Sequence, residues 1–198
     1  MILYLTKQTI ERCGVKMPEE LDDELQREVG KALMQSEQND NLMKWGGKIF
    51  YFDRRKCIQF ANFASKFTLF LVDIKKDMIP EIPNYIANYL FKLYADDKEM
   101  VMALKKMLQE SSLSCYGKLT DRSTISTLNA TQSSFLDDGY YLYNFINDGI
   151  LDIGKVNYNV NFKYPITVNV NGKKGYYYTG ELFREMVLVR YGSLSSKS

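Results

Sequence analysis

Between residues 48 and 72 the chain carries three aromatic and β-branched runs with only a few residues between them. Lys48-Ile-Phe-Tyr-Phe-Asp53, Cys57-Ile-Gln-Phe-Ala-Asn62 and Phe67-Thr-Leu-Phe-Leu-Val72 each have the length and composition of a strand. The gaps, Arg54-Arg55-Lys56 and Phe63 to Lys66, are short enough for hairpins, so the segment reads as an antiparallel three-strand meander. The runs are apolar at successive positions, which implies a sheet buried on both faces and covered by helices.

The flanking sequence supplies those helices. Residues 2–6 read as a short opening strand and 7–13 as a helical turn or two, capped by Gly14. Pro18-Glu19-Glu20 starts a helix, and Leu21, Leu25, Val29 and Leu33 recur every four residues as its inner stripe. The polar run from Gln35 to Asn41 ends it as a loop. Pro80 to about Tyr94 is a second helix, with Ile82, Ile86, Leu90 and Leu93 on one side. A third spans about Asp97 to Gln109, carried by Val101, Leu104 and Leu108. A strand at 113–119 and a mixed segment at 122–137 follow. The last third is rich in Tyr, Asn, Val and Gly and reads as strands near 155–163, 166–170 and 174–178. Asn171-Gly172 forms the hairpin turn between the last two, and a final helix or strand covers 181–190. The expected fold is α+β: a core domain over 1–150, a β-rich extension over 151–192 and a disordered tail over 193–198.

Composition narrows the chemistry. The 198 residues are 45% hydrophobic and 25% charged, the proportions of a globular protein with a core, and no apolar run approaches a membrane span. There is no histidine, so Ser-His-Asp and Cys-His catalysis, imidazole proton shuttles and histidine-containing zinc sites are excluded. Cys13, Cys57 and Cys115 are too scattered for a four-cysteine site and fit a reducing compartment. Cys57, among apolar neighbours, reads as a buried structural thiol. No phosphate-cradling glycine motif occurs. The opening residues lack a basic region followed by a long apolar stretch, so the expected location is the cytoplasm. No catalytic residue, metal or cofactor is assigned.

Three polar groupings remain as candidate sites. Lys44, Lys48, Arg54, Arg55 and Lys56 against Asp53 make a local +4 with Trp45, Tyr51 and Phe52 interleaved, the composition that grips phosphates and stacks bases. Charges at a hairpin also protect strand edges. Lys118, Asp121, Arg122, Ser123 and Asn129 form a second grouping. With Asp53 and Lys56 nearby it could surround a magnesium-bound phosphodiester; alternatively Asp121 caps a helix from Ser123 while Arg122 pairs with Asp53. The third is acidic: Glu19, Glu20, Asp22, Asp23 and Glu24 head a stretch, 18–40, with eight Asp/Glu against two Lys/Arg, a local −6. It offers either a partner-binding face or ordinary helix solvation. Tyrosines at 140–143 and 176–178 are candidate contact residues.

The hairpin Asp53-Arg54-Arg55-Lys56, the Asn62 that ends the next strand, and Lys118-Leu119-Thr120-Asp121-Arg122-Ser123 stand in that order over roughly residues 1–150. In this the chain resembles an uncharacterised domain family of bacteria and mobile elements, domain-of-unknown-function family 6933. Leu119 and Asp121 stand where threonine and asparagine are usual. The resemblance implies an α+β fold and brings no established activity.

With catalytic chemistry sparse and local surfaces oppositely charged, the expected function is a non-enzymatic interaction protein of phage or mobile-element type. It would bind and inhibit or regulate a nucleic-acid-handling host complex, as an anti-defence, anti-CRISPR or antitoxin protein does. The acidic helix would face the partner's basic groove, and Lys48, Arg54, Arg55, Lys56, Lys118 and Arg122 would meet acidic surface or bound nucleic acid. Direct DNA or RNA binding, including a magnesium-dependent nuclease on Asp53 and Asp121, is the alternative. A homo-oligomer is compatible with either, and no membrane partner is expected.

Overall fold

The meander forms as its spacing predicts, and it is extended by two further strands. The computed structural model describes residues 1–36, 40–110, 113–137, 140–170 and 172–192. Strands β1 (Ile2–Leu5), β2 (Lys44–Phe52), β3 (Arg55–Asn62), β4 (Thr68–Leu71) and β5 (Cys115–Lys118) build one sheet in the order β4-β3-β2-β1-β5. β2, β3 and β4 are antiparallel, whereas β1 lies parallel to both β2 and β5.

Alternation along the strands divides the side chains between two cores. On one face Leu3, Leu5, Trp45, Phe60 and Leu69 meet helices α3 (Ile82–Leu93), α4 (Lys98–Glu110) and α8 (Thr179–Tyr191), through Ile86, Leu104, Phe183 and their neighbours. On the other, Phe50, Cys57 and Phe70 meet Phe135, Phe145, Val156 and Val160, while Ala61 meets Leu119 and Leu128. This second face is covered by α5 (Arg122–Gln132), the π-helical turn Ser133–Asp137 that prolongs it, the one-turn α6 (Tyr140–Tyr143) and α7 (Ile153–Phe162), with the two-residue strands β6 (Ile146–Asn147) and β7 (Ile150–Leu151) between the last two. Gly46 lets α5 approach β2 closely: a Cβ there would lie 2.5 Å from Thr124 Cγ2.

Two sequence expectations are corrected. The strand expected over 155–163 is helix α7. Val156 and Val160, and Asn157 and Asn161, alternate with tyrosine, asparagine and phenylalanine, but each pair is also spaced by four and buried together. The helix from Pro18 is broken: a 3₁₀ turn, Pro18–Glu20, precedes α2 (Glu24–Ser36), and Asp23 Oδ1 accepts from Gln26 N–H at 2.8 Å to start the second piece. The short helix α1 (Lys7–Cys13) ends on Gly14 at φ 65°. The hairpin of β8 (Ile166–Val170) and β9 (Lys173–Tyr177) forms as expected, with Gly172 at φ 83°, and 181–190 is helical. Asn171, the centre of the Gln35–Asn41 loop and the tail 193–198 lie outside the described residues.

Helix α7 closes the β4 edge of the sheet with two asparagines in place of a sixth strand. Phe70 N–H donates to Asn157 Oδ1 at 2.7 Å, and Asn157 Nδ2 donates to Phe70 O at 3.1 Å. One helical turn on, Thr68 N–H donates to Asn161 Oδ1 at 2.8 Å, and Asn161 Nδ2 returns a bond to Thr68 O at 2.7 Å. Each side-chain amide thus imitates a strand's peptide group, satisfying backbone that is buried and has no neighbouring strand.

Candidate functional site

The basic grouping around the hairpin is dispersed by the fold. Lys44 begins β2, at the far end from the turn, and is buried. Lys48 projects from mid-strand toward α5 and donates to Asn129 Oδ1 at 2.9 Å. Lys56 Nζ donates to Arg12 O at 3.0 Å, at the end of α1. Only Arg54 and Arg55 are left exposed at the tip beside Asp53. Of the interleaved aromatics Trp45 is fully buried, Phe52 packs on Tyr143 with ring centroids 5.0 Å apart, and Tyr51 is exposed. The +4 of the sequence becomes two arginines and one tyrosine at a turn.

That turn is conformationally costly. Asp53 and Arg54 both adopt positive φ, 48° and 63°, the left-handed region required at both central positions of a tight hairpin turn. Aspartate tolerates it, but arginine does so at a cost of about 1 kcal/mol. Replacing Arg54 with glycine is therefore expected to raise stability by about 0.5–1 kcal/mol, read as a higher urea midpoint at unchanged slope.

The second grouping sits at the opposite end of β2. Asp121 caps α5, accepting from Thr124 N–H at 2.6 Å, and lies 3.9 Å from the Nζ of Lys66. Lys66 is buried, at φ 62°, and donates to Phe63 O and Thr124 Oγ1 at 2.9 and 3.0 Å. Burial pushes the Lys66 ammonium below its ordinary value, with Asp121 opposing. Burial works to raise the Asp121 carboxyl, but the hydroxyl and amide of Thr124 and the ammonium groups of Lys66 and Lys44 outweigh it and hold the group low. Since the folded value is depressed, Asp121 stabilises the fold above the carboxylate range, and this contribution fades as pH falls through the folded value. Asp121→Asn keeps an acceptor for the cap but removes the charge. It should cost about 0.5–1 kcal/mol at neutral pH, and its stability difference from the parent should close as pH falls below 3.8.

The two groupings do not meet. Asp53 lies beyond one end of β2 and Asp121 is packed at the other, separated by most of a nine-residue strand, or more than about 20 Å at 3.3 Å per residue. A two-carboxylate magnesium site on Asp53 and Asp121 is not formed, and Arg122 does not pair with Asp53. Asp121 is a helix cap, as one of the two sequence readings had it. Among the described residues no group of three His, Cys, Asp or Glu side chains is placed to hold a metal. Cys57 is buried, and burial raises its thiol pKa, consistent with a structural role. Asn62 is structural too: fully buried, it accepts from Ala64 and Ser65 N–H at 3.1 and 3.2 Å and donates to Leu42 O and Lys44 O.

The acidic helix differs from its sequence reading in orientation. Leu25 is 74% exposed and Val29 37%, so the middle of the stripe expected to face inward is turned to solvent, while its ends, Leu21 and Leu33, are half-buried. The buried residue of α2 is Gly30, where a Cβ would come within 2.9 Å of Pro18 Cβ. Contact through the one residue without a side chain turns Leu25 and Val29 outward, while Leu33 and Met34 stay half-buried. The acids that precede and open α2 divide into two kinds. Glu20 accepts from Met17 N–H, Asp23 caps α2, and Asp22 pairs with Lys16 at 2.7 Å. Glu19 and Glu24 are exposed and take no such part in the local structure.

A mixed five-stranded sheet clad on both faces by helices makes this an α+β protein. More particularly, the chain belongs to the family described as Domain of unknown function (DUF6933), whose model matches residues 2–182. No curated protein matches it. Among the described residues no helix is long and apolar enough to cross a membrane.

Proposed function

We propose that the protein is a non-enzymatic interaction protein of phage or mobile-element type that binds, and inhibits or regulates, a nucleic-acid-handling complex in the anti-defence or antitoxin manner. The observation that carries the proposal is the exposed Leu25/Val29 pair of α2, with Asp22, Asp23 and Glu24 immediately before it in the chain and Glu28 paired with Lys31 at 2.8 Å. Apolar side chains at i and i+4 on an accessible helix are the anchors of helix-in-groove recognition. The acids at the start of α2, Glu24 and those just before it, select a groove with a basic rim at that end and disfavour other partners. Proteins that handle nucleic acid present such rims, because they neutralise phosphates with Lys and Arg. Dispersal of the basic groupings into caps and turns supports a binding rather than a catalytic role.

The test uses Glu19→Lys/Glu24→Lys, which leaves the structural acids intact. Bait of the parent chain should capture a stoichiometric protein from host lysate that survives nuclease treatment, and the variant should lose it. Equal capture by both baits, or capture that vanishes with nuclease, would refute the proposal. Direct nucleic-acid binding at the turn is the second reading, favoured by the exposure of Arg54, Arg55 and Tyr51. It predicts the nuclease-sensitive outcome.

A further inference from the structure

The β8–β9 hairpin carries a surface of a different character from α2. From residue 153 to residue 180 there are four lysines (155, 163, 173 and 174) and no aspartate or glutamate, together with five tyrosines. Four of these tyrosines are substantially exposed: Tyr176 at 81%, Tyr158 and Tyr164 at 42%, and Tyr178 at 39%. Strand register sorts the hairpin into two faces. Val168, opposite Gly175, is buried, whereas Thr167 opposite Tyr176 and Asn169 opposite Lys174 are exposed on the outer side. One strand face therefore presents an aromatic ring and an ammonium group two residues apart, about 7 Å along the strand.

Beside that face lies a cleft of about 390 Å³ between the hairpin and the α5 segment. Ser126, Thr127, Ser134 and Thr167 offer hydroxyls around an apolar floor that includes Phe135, and Tyr176 stands at its rim. No charged residue lines it. A neutral, hydroxyl-bearing cleft suits a planar polar ring, and Lys174 stands outside it on the strand face that carries Tyr176. The combination separates the two parts of a nucleotide: base by stacking and hydrogen bonding, phosphate by cations.

We propose that the β8–β9 hairpin and its cleft form a binding site for single-stranded nucleic acid, with Tyr176 stacking on a base and Lys174, on the same strand face, meeting a phosphate. The site is independent of the α2 face. α2 packs beside β5, at one edge of the sheet, and the hairpin follows α7 at the β4 edge. A chain that engages a nucleic-acid-handling machine through α2 would then also hold the strand that machine works on.

Fluorescence anisotropy with labelled dT20 and rU20, at 50 and 200 mM salt, tests the site on the full chain. The parent should bind at least one of the two, with affinity falling as salt rises. Tyr176→Ala should weaken binding about tenfold. Lys174→Glu should weaken it as well and reduce the logarithmic salt slope by about 0.7, the value for one single-strand phosphate. Both variants alter exposed side chains, and an unchanged circular dichroism melt confirms that they fold. Leu25→Asp/Val29→Asp should bind the oligonucleotides like the parent, which separates this site from the α2 reading. Absence of oligonucleotide binding at 50 mM salt, or binding that survives both hairpin variants and is lost with Arg54→Ala/Arg55→Ala, would overturn the proposal. So would binding to vesicles of phosphatidylcholine and phosphatidylserine at 3:1 without binding to either oligonucleotide.

Discussion

Replacing Asn161 with alanine is expected to lower the unfolding free energy by about 3–5 kcal/mol, the largest loss from any single polar side chain here. Asn161 is fully buried and takes part in four bonds: it accepts from Thr68 N–H and from Thr179 Oγ1 at 2.8 Å, and donates to Thr68 O and Asn157 O at 2.7 Å. Alanine would leave both backbone groups of Thr68 without partners on a buried edge, each costing about 1–3 kcal/mol. Asn157→Ala should act the same way at Phe70. The double variant should lose less than the sum, because the two amides share one network. Urea unfolding followed by circular dichroism reads the effect as a lower midpoint. A loss below about 1 kcal/mol for Asn161→Ala would show that α7 does not complete the sheet.

Leu25→Asp/Val29→Asp should behave in the opposite way, with little change in stability and a large loss of partner affinity. Neither side chain belongs to a core, and surface substitutions of this kind stay within about 0.5 kcal/mol. In a groove each would contribute about 1.5–3 kcal/mol by burial, so removing both should weaken binding by 100-fold or more. The new carboxylates add an unpaired charge against an apolar floor. Titration of the captured partner against parent and variant, with a thermal melt of each, separates the two effects. A variant that binds within threefold of the parent would exclude the stripe as an anchor. One that melts well below it would mean that the stripe is part of the core.

Where the sequence was legible, one physical signal dominated. The meander between 48 and 72 was readable because short gaps leave few topologies, and α3 and α4 because their apolar spacing is long and regular. Gly14 as a cap and Asp121 as a cap were readable from local chemistry. Position 53–56 was misleading in a specific way: consecutive strand residues point to opposite faces, so Lys56 and Arg55 diverge and a linear charge count overstates the patch. α7 is not legible as a helix because Val-Asn-Tyr-Asn-Val-Asn-Phe, residues 156–162, satisfies periods of two and of four at once. Only the tertiary requirement that Asn157 and Asn161 serve the β4 edge selects the helix. The outward turn of Leu25 and Val29 is not legible, because a leucine stripe outweighs a single glycine in any periodicity argument, although Gly30 is the buried residue of α2. The lysine and tyrosine content of 153–180 was visible in the sequence, but its lack of acid was hidden within a net charge of +2.

The central claim is that a protein partner docks on α2, and hydrogen–deuterium exchange on the captured complex addresses it most directly. Amides of residues 24–36 should exchange more slowly in the complex than in the isolated chain, most of all around Leu25 and Val29, while those of 53–56 stay unchanged. Protection confined to 53–56 or to other elements, with α2 exchanging as in the isolated chain, would contradict the account.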